Sequence, residues 1–178
     1  MIMITKKAIS LICMVLFLGN ILTAQPFKYI GAEKCKICHN KPATGDQYGK
    51  WLKDPHSQAL KSLGNQKSLD YAKSNGIADP TKEAKCLKCH STFDAVAANL
   101  RGGITQADGV SCESCHGPGS AYKSPSIMKN LAVSKQNGLI VPDKTLCLKC
   151  HNKDNPFFKE FNYETASAKI SHKNPAKK

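Results

Sequence analysis

The sequence predicts a mainly α protein, built from short helices and irregular loops with little or no β structure. Strand-type alternation of apolar and polar residues is hard to find along the chain. Helix-start signals recur, in which Asp, Asn or Ser precedes a helical pattern and proline sometimes follows directly. Aromatic residues make up only 7% of the chain, so the protein cannot bury a generous core of its own.

The predicted helices follow these signals in order. A short helix covers 46–52, and a second begins at Asp54-Pro55 and stops at Gly64. On the second helix, His56 shares an apolar face with Leu60 and Leu63. Further helices are predicted at 68–74, from Asp79-Pro80 into the residues around 90, from Ser124-Pro125 to 138, after Asp143, and over 163–172 after Asn162.

Four copies of the pattern Cys-x-x-Cys-His occur after residue 30. This pattern is the attachment signature of a c-type haem. Two thiols form thioethers with the vinyl groups of one porphyrin, and the adjoining imidazole binds the iron from the proximal side. The copies predict four covalently attached haem c groups, which would supply much of the apolar interior. The cysteines are Cys35, Cys38, Cys86, Cys89, Cys112, Cys115, Cys147 and Cys150, and the proximal histidines are His39, His90, His116 and His151.

Two other structures use repeated cysteines. Cys-x-x-Cys knuckles bind zinc in zinc ribbons, and disulfide frameworks stabilise small secreted domains. Neither requires a histidine directly after the second cysteine, and all four copies have one. The pattern therefore favours haem over both alternatives.

Residues 1–24 are predicted to be a secretory signal peptide, followed by one tetrahaem domain at 25–178. Lys6 and Lys7 precede an apolar run over 8–22, and the small residue Ala24 closes the segment. The run is shorter than the roughly 20 residues of a membrane span. Removal of this segment takes away Cys13 and leaves only the motif cysteines. We expect a periplasmic or otherwise exported protein, which contacts a membrane only if this segment is retained.

The formal net charge is +13. Haem propionates would neutralise part of the lysine excess, and no basic run resembles a nucleic-acid-binding arm. We therefore expect no nucleic-acid partner. The expected partners are redox proteins that donate and accept electrons, with acidic docking faces.

Three features resemble the cytochrome c554 family of tetrahaem proteins. They are His56 after Trp51, the third motif within 109–119, and a late helix that ends at His172. The resemblance covers nearly the whole chain after residue 24. It implies a helical, haem-packed fold and electron transfer outside the cytoplasm. It also implies that the haem on His90 lacks a protein ligand on its distal side.

Distal ligands are scarce, because the chain has only six histidines. His56 and His172 are the two that lie outside the motifs, and we predict that both are distal iron ligands. Met128 is the only methionine after residue 24. It stands where the resembling family carries a third distal histidine, so we predict it as a further ligand, although an ordinary core methionine would also fit.

Electron transfer between redox partners is the favoured function, and an enzymatic role is the less favoured interpretation. The alternative is a reductase of a small nitrogen compound, nitric oxide or hydroxylamine, at an open haem. Such a reaction also needs proton donors near the distal side, and the chain has no further histidines for that role. A structural role as a haem filament is a third alternative.

Overall fold

The structure is a computed structural model that describes residues 26–175. It confirms the mainly α fold class. Within these residues Tyr29 and Arg101 form one isolated parallel bridge, and there is no strand. The α-helices are α1 (Ala32–His39), α2 (Gln47–Lys53), α3 (Ala59–Ser62), α4 (Gln66–Ser74), α5 (Ala84–His90), α6 (Thr92–Ala95), α7 (Cys112–His116), α8 (Pro125–Met128), α9 (Leu131–Gln136), α10 (Lys144–Cys147) and α11 (Tyr163–Ile170).

Short 3-10 helices link several of these elements, at Pro42–Thr44, Pro55–Gln58, Ala98–Leu100 and Gln106–Asp108. The predicted signal peptide, residues 1–24, lies outside the described residues. No helix within 26–175 has both the length and the apolar character needed to cross a membrane.

Polar side chains cap many of the helices at the predicted starts. Asp46 accepts a hydrogen bond from the backbone N–H of Gly49, and Asp143 accepts one from Leu146. Asn162 caps α11 in the same way. Each cap satisfies a backbone donor that the first turn of a helix leaves free.

The Asp79-Pro80 pair does not start a helix, contrary to the prediction. Asp79 Oδ1 instead accepts hydrogen bonds from the N–H (2.9 Å) and the hydroxyl (2.6 Å) of Thr81. This local turn competes with helix capping. Helix α5 begins only at Ala84, after Glu83 has capped it.

Three other predicted helices differ from the structure. The segment 124–138 is divided, because Asn130 leaves the helical conformation to cap α9. The helix that starts at Asp54 opens with the 3-10 turn Pro55–Gln58 before α3. Helix α11 ends at Ile170, so His172 lies just beyond it.

The apolar core of the described residues is small, as the low aromatic content predicts. Its buried apolar side chains are Ile30, Ala32, Leu63, Ala72, Leu87, Ile104 and Tyr122. Helices of four to nine residues expose much of their surface, and short helices depend on packing partners for stability. Most of the apolar packing must therefore come from groups other than the side chains of the protein.

Glu113 is the most deeply buried charged side chain of the described residues, with only 1% of its surface exposed. Its carboxylate accepts hydrogen bonds from the N–H groups of Ile30 (2.9 and 3.0 Å), Gly31 (2.8 Å) and Gly119 (2.7 Å). Burial raises the pKa of Glu113, and the hydrogen bonds from these amides oppose that shift. The carboxylate thus joins α7 to the loop that follows it and to the segment before α1.

Helix α1 has no cap of its own, because its N-cap residue is Gly31. Glu113 accepts the N–H of Gly31, and Asp108 accepts that of Ala32 at 2.7 Å. Gly31 has a φ of 86°, and an added Cβ would lie 3.1 Å from the carbonyl oxygen of Gly103. The start of α1 is therefore held by two carboxylates from the third-motif region, and the positive φ of Gly31 and the nearby Gly103 carbonyl favour glycine at this position.

We expect Glu113→Gln to lower the free energy of unfolding by about 1–3 kcal/mol, because it leaves a buried backbone donor unsatisfied. A glutamine amide offers one acceptor oxygen in place of two. Denaturant unfolding of the haem-loaded protein measures the change. Glu160→Gln is the control, since Glu160 is exposed, and equal stability of the two variants would contradict the role of Glu113.

Candidate haem-binding site

The four Cys-x-x-Cys-His motifs lie on or directly after short helices. The first three are contained in α1, α5 and α7. In the fourth, α10 ends at Cys147, and the N–H of His151 still bonds the carbonyl of Cys147 at 3.0 Å. Helical backbone places residues i, i+3 and i+4 on one face. Each motif therefore presents two thiols and an imidazole on the same side.

None of the eight motif cysteines forms a disulfide. Cys35 of the first motif lies within hydrogen-bonding reach of Cys112 of the third. Cys89 of the second motif lies within hydrogen-bonding reach of Cys150 of the fourth.

The third and fourth motifs are neighbours as well. Cys115 of the third motif lies near Cys147 and Cys150 of the fourth. Ordered by these cysteine contacts, the motifs run first, third, fourth, second, which differs from their order in the sequence.

The two histidines outside the motifs each lie opposite a motif histidine. The ring centroids of His56 and His151 are 5.9 Å apart, and those of His116 and His172 are 6.0 Å apart. The planes of each pair are nearly perpendicular, at 78° and 77°.

These spacings match two axial ligands of one iron. A metal–imidazole bond is about 2 Å long and a ring nitrogen lies about 1 Å from its ring centre, so trans imidazoles have centroids about 6 Å apart. Two pairs of histidines, contributed by distant parts of the chain, both meet this condition. The structure thus places His56 beside His151 and His172 beside His116, and ligation of iron by His56 and His172 stays a prediction.

The Nδ1 atoms of five histidines face hydrogen-bond acceptors. His56 Nδ1 lies 2.7 Å from Asp54 Oδ1, and His39 Nδ1 lies 3.3 Å from Gln47 Oε1. His90, His116 and His172 face the backbone oxygens of Ala59 (2.7 Å), Ile140 (3.3 Å) and Ile170 (2.9 Å). A hydrogen bond at Nδ1 fixes the tautomer and leaves Nε2 free for a metal.

Burial keeps the paired motif histidines neutral. It lowers the pKa of His116 and also that of His151. Only a neutral imidazole has a nitrogen lone pair that can bind iron. Burial therefore favours the protonation state that ligation requires.

A cavity of about 390 Å³ is lined by residues of the first and third motifs and also by His56. Cys35, His39, Cys112, His116, Met128 and His172 all line it. Its remaining wall is largely apolar, with Trp51, Tyr122, Leu139 and Ile140 among the contributors. Met128 thus shares a cavity with His39, a motif histidine that belongs to neither imidazole pair.

The residues present fit a covalently bound haem. A haem needs two thiols beside a proximal imidazole, a second ligand across the ring and an apolar slot for the porphyrin. The third motif supplies Cys112, Cys115 and His116, with His172 opposite and the apolar cavity between them.

A metal ion without a porphyrin needs several ligating side chains in one place. Among residues 26–175, no three His, Cys, Asp or Glu side chains are grouped to hold one metal ion. The close thiols come from different motifs, an arrangement that differs from a Cys-x-x-Cys zinc knuckle.

Two polar residues of this region were missed by sequence reasoning. Asp54 was assigned only as a helix cap, yet its carboxylate also holds the ring of His56. Its position two residues before His56 was the only available signal. Glu113 stands inside a motif at a variable position, and nothing in the sequence indicated that its side chain turns inward.

The model for the family described as "Cytochrome c554 and c-prime" matches residues 34–117 of this chain. A protein named "Cytochrome c-554" from Nitrosomonas europaea is 30% identical over 141 residues. The match covers 74% of this chain and 55% of that protein, so the chain spans about half the length of this relative. No solved structure matches the chain significantly.

Motifs of this form, with imidazoles held across from their histidines, define a c-type cytochrome with covalently bound haem c. The family match spans the first three motifs, and the match to the Nitrosomonas protein extends over most of the chain. The chain belongs to the cytochrome c554 family.

Proposed function

We propose that this protein is an exported tetrahaem cytochrome that carries electrons between redox proteins. The observation that carries the proposal is the pair of histidine–histidine spacings, 5.9 and 6.0 Å, which suit six-coordinate irons. A six-coordinate iron has no open position for a substrate, so it can exchange electrons but cannot bind a small molecule. At least half of the proposed sites are therefore suited to electron transfer alone.

In this proposal each motif holds one haem through its two cysteines and its histidine. His56 is the distal ligand opposite His151, and His172 is the distal ligand opposite His116. The distances between the rings and the Nδ1 hydrogen bonds of His56 and His172 support both assignments.

Met128 is proposed as the distal ligand opposite His39. Both residues line the same cavity, and a methionine thioether is a common haem ligand that raises the reduction potential. No histidine or methionine after residue 24 is then left for the haem on His90, in agreement with the pattern of the family.

The spatial order of the motifs supports a continuous electron path. Each haem supplies an iron that alternates between the ferric and ferrous states. The thiol contacts Cys35–Cys112 and Cys89–Cys150, and the proximity of Cys115 and Cys147, keep consecutive attachment points close together. Close attachment points favour short gaps between porphyrins, and short gaps favour fast electron exchange.

The hydrogen bonds at the Nδ1 atoms of the histidines also favour fast electron exchange. They hold each imidazole in one tautomer and one orientation. A ring that does not move when the charge on its metal changes adds little reorganisation to the electron-transfer step. Ile140 and Ile170 supply rigid backbone acceptors for His116 and His172.

Export and partner choice rest on the sequence. The signal segment at 1–24 supports a periplasmic or otherwise exported location. The lysine excess supports redox partners with acidic docking faces, because opposite charges steer such encounters.

Electron exchange and catalysis can be separated directly. We expect the reduced protein to be oxidised rapidly by an acidic redox protein, at a rate that falls as salt screens the attraction. We expect no sustained turnover of nitric oxide or hydroxylamine under the same anaerobic conditions. Stopped-flow absorbance and product analysis measure the two reactions, and sustained turnover would replace the carrier with the reductase alternative.

We expect His56→Ala and His172→Ala each to convert one low-spin haem to high spin, because each removes one axial ligand. The double variant should convert two. Electron paramagnetic resonance of the oxidised protein counts the spin states, and mass spectrometry checks that four haems remain attached. Lys53→Ala, at an exposed position, is the control. An unchanged low-spin count in either single variant would refute that ligand assignment.

We expect the reduced protein to bind about one carbon monoxide per chain, at the haem on His90, because an open ferrous iron binds this ligand readily. Met128→Ala should raise the count to two. Leu131→Ala, at the 56% exposed first position of α9, should leave it unchanged. Titration followed by absorbance measures the count. Two ligands bound by the unmodified protein would refute ligation by Met128, and none would refute the open site.

A further inference from the structure

The distal histidines of the two imidazole pairs have different partners. His56 Nδ1 lies 2.7 Å from the carboxylate of Asp54, whereas His172 Nδ1 lies 2.9 Å from the backbone carbonyl of Ile170. The first partner is an acid and the second is neutral. The proximal His116 also faces a carbonyl, that of Ile140.

Asp54 is placed to hold the ring of His56 firmly. Its Oδ1 atom accepts the N–H of His56 at 2.9 Å and faces Nδ1 of the same residue at 2.7 Å. The Asp54 side chain is only 18% exposed, so water competes weakly for this oxygen. Pro55, between the two residues, fixes the backbone of the turn.

An N–H group that donates to a carboxylate gives its imidazole partial imidazolate character. The opposite nitrogen then becomes a stronger electron donor to a metal. A stronger donor stabilises ferric iron more than ferrous iron, which lowers the reduction potential. The step adds one electron to the iron, and the hydrogen at Nδ1 stays in place in both oxidation states.

We propose that Asp54 is a positioning residue that lowers the potential of the haem held by His151 and His56. This inference rests on the proposed ligation of that haem. It predicts that the two bis-histidine haems differ in potential, and that the haem with His56 is the lower of the two.

The test is Asp54→Asn. Asparagine is a good helix cap, and its amide oxygen can still accept both hydrogen bonds of His56, so the fold and the ligand are retained. Only the charge of the acceptor changes. We expect an upward shift in the potential of one haem in a spectroelectrochemical titration, with the potentials of the other haems nearly unchanged. The low-spin resonance signal of the same haem should also shift while the low-spin count stays constant.

Asp143→Asn is the matched control. Asp143 caps α10, four residues before Cys147, and bonds the N–H of Leu146 at 2.9 Å. The Asp143→Asn variant, like Asp54→Asn, removes one negative charge near the haem of the fourth motif. Asp143 differs from Asp54 in that it bonds no imidazole. We expect a smaller shift than for Asp54→Asn and no change in the low-spin signal.

Three results would overturn the inference. They are an unchanged potential in Asp54→Asn, an equal shift in both variants, and conversion of a haem to high spin in Asp54→Asn. An equal shift would show an effect of charge at a distance, and a high-spin haem would show a loss of ligation.

If His56 does not bind the iron, the His56→Ala variant keeps an unchanged low-spin count. This result is distinct from the three results above. The carrier function, in turn, is tested by electron exchange with a partner, which does not depend on the potential of one haem.

Discussion

The carboxylate of Glu113 holds together the parts of the chain on which the site depends. It accepts amide hydrogens from Ile30, Gly31 and Gly119, and so joins the segment before α1 to α7 and to the loop that follows. Since α1 carries the first motif and α7 the third, this one side chain fixes the distance between two attachment sites. A buried carboxylate is tolerated because several amides compensate for its lost hydration.

The described interior is otherwise poor in apolar side chains, and this has a physical consequence. Short helices joined by loops bury too little surface to be stable on their own. Porphyrins with covalent links to the chain would supply the missing contacts. The motifs would then serve the fold as much as the electron path, since each haem with a distal ligand would join its motif to the remote residue that binds it.

The sequence was informative where a pattern is local. Cys-x-x-Cys-His predicts haem chemistry from five adjacent residues, and caps such as Asp46 and Asn162 act within one turn. Prediction failed at Asp79, where an Asx turn and a helix cap share the same signal. The spatial order of the motifs could not be predicted either, because contacts such as Cys35–Cys112 join residues far apart in the chain.

The ligands proposed for this protein would give its haems unequal potentials along the spatial order of the motifs. A thioether opposite His39 favours the ferrous state, and two neutral imidazoles with carbonyl partners lie next in the order. The imidazole held by Asp54 follows, and it favours the ferric state most among the six-coordinate sites. An electron placed near the fourth motif would therefore move downhill through the third motif towards the first. The axial ligands and their hydrogen-bond partners would then set the direction of electron flow, although the haems themselves are chemically identical.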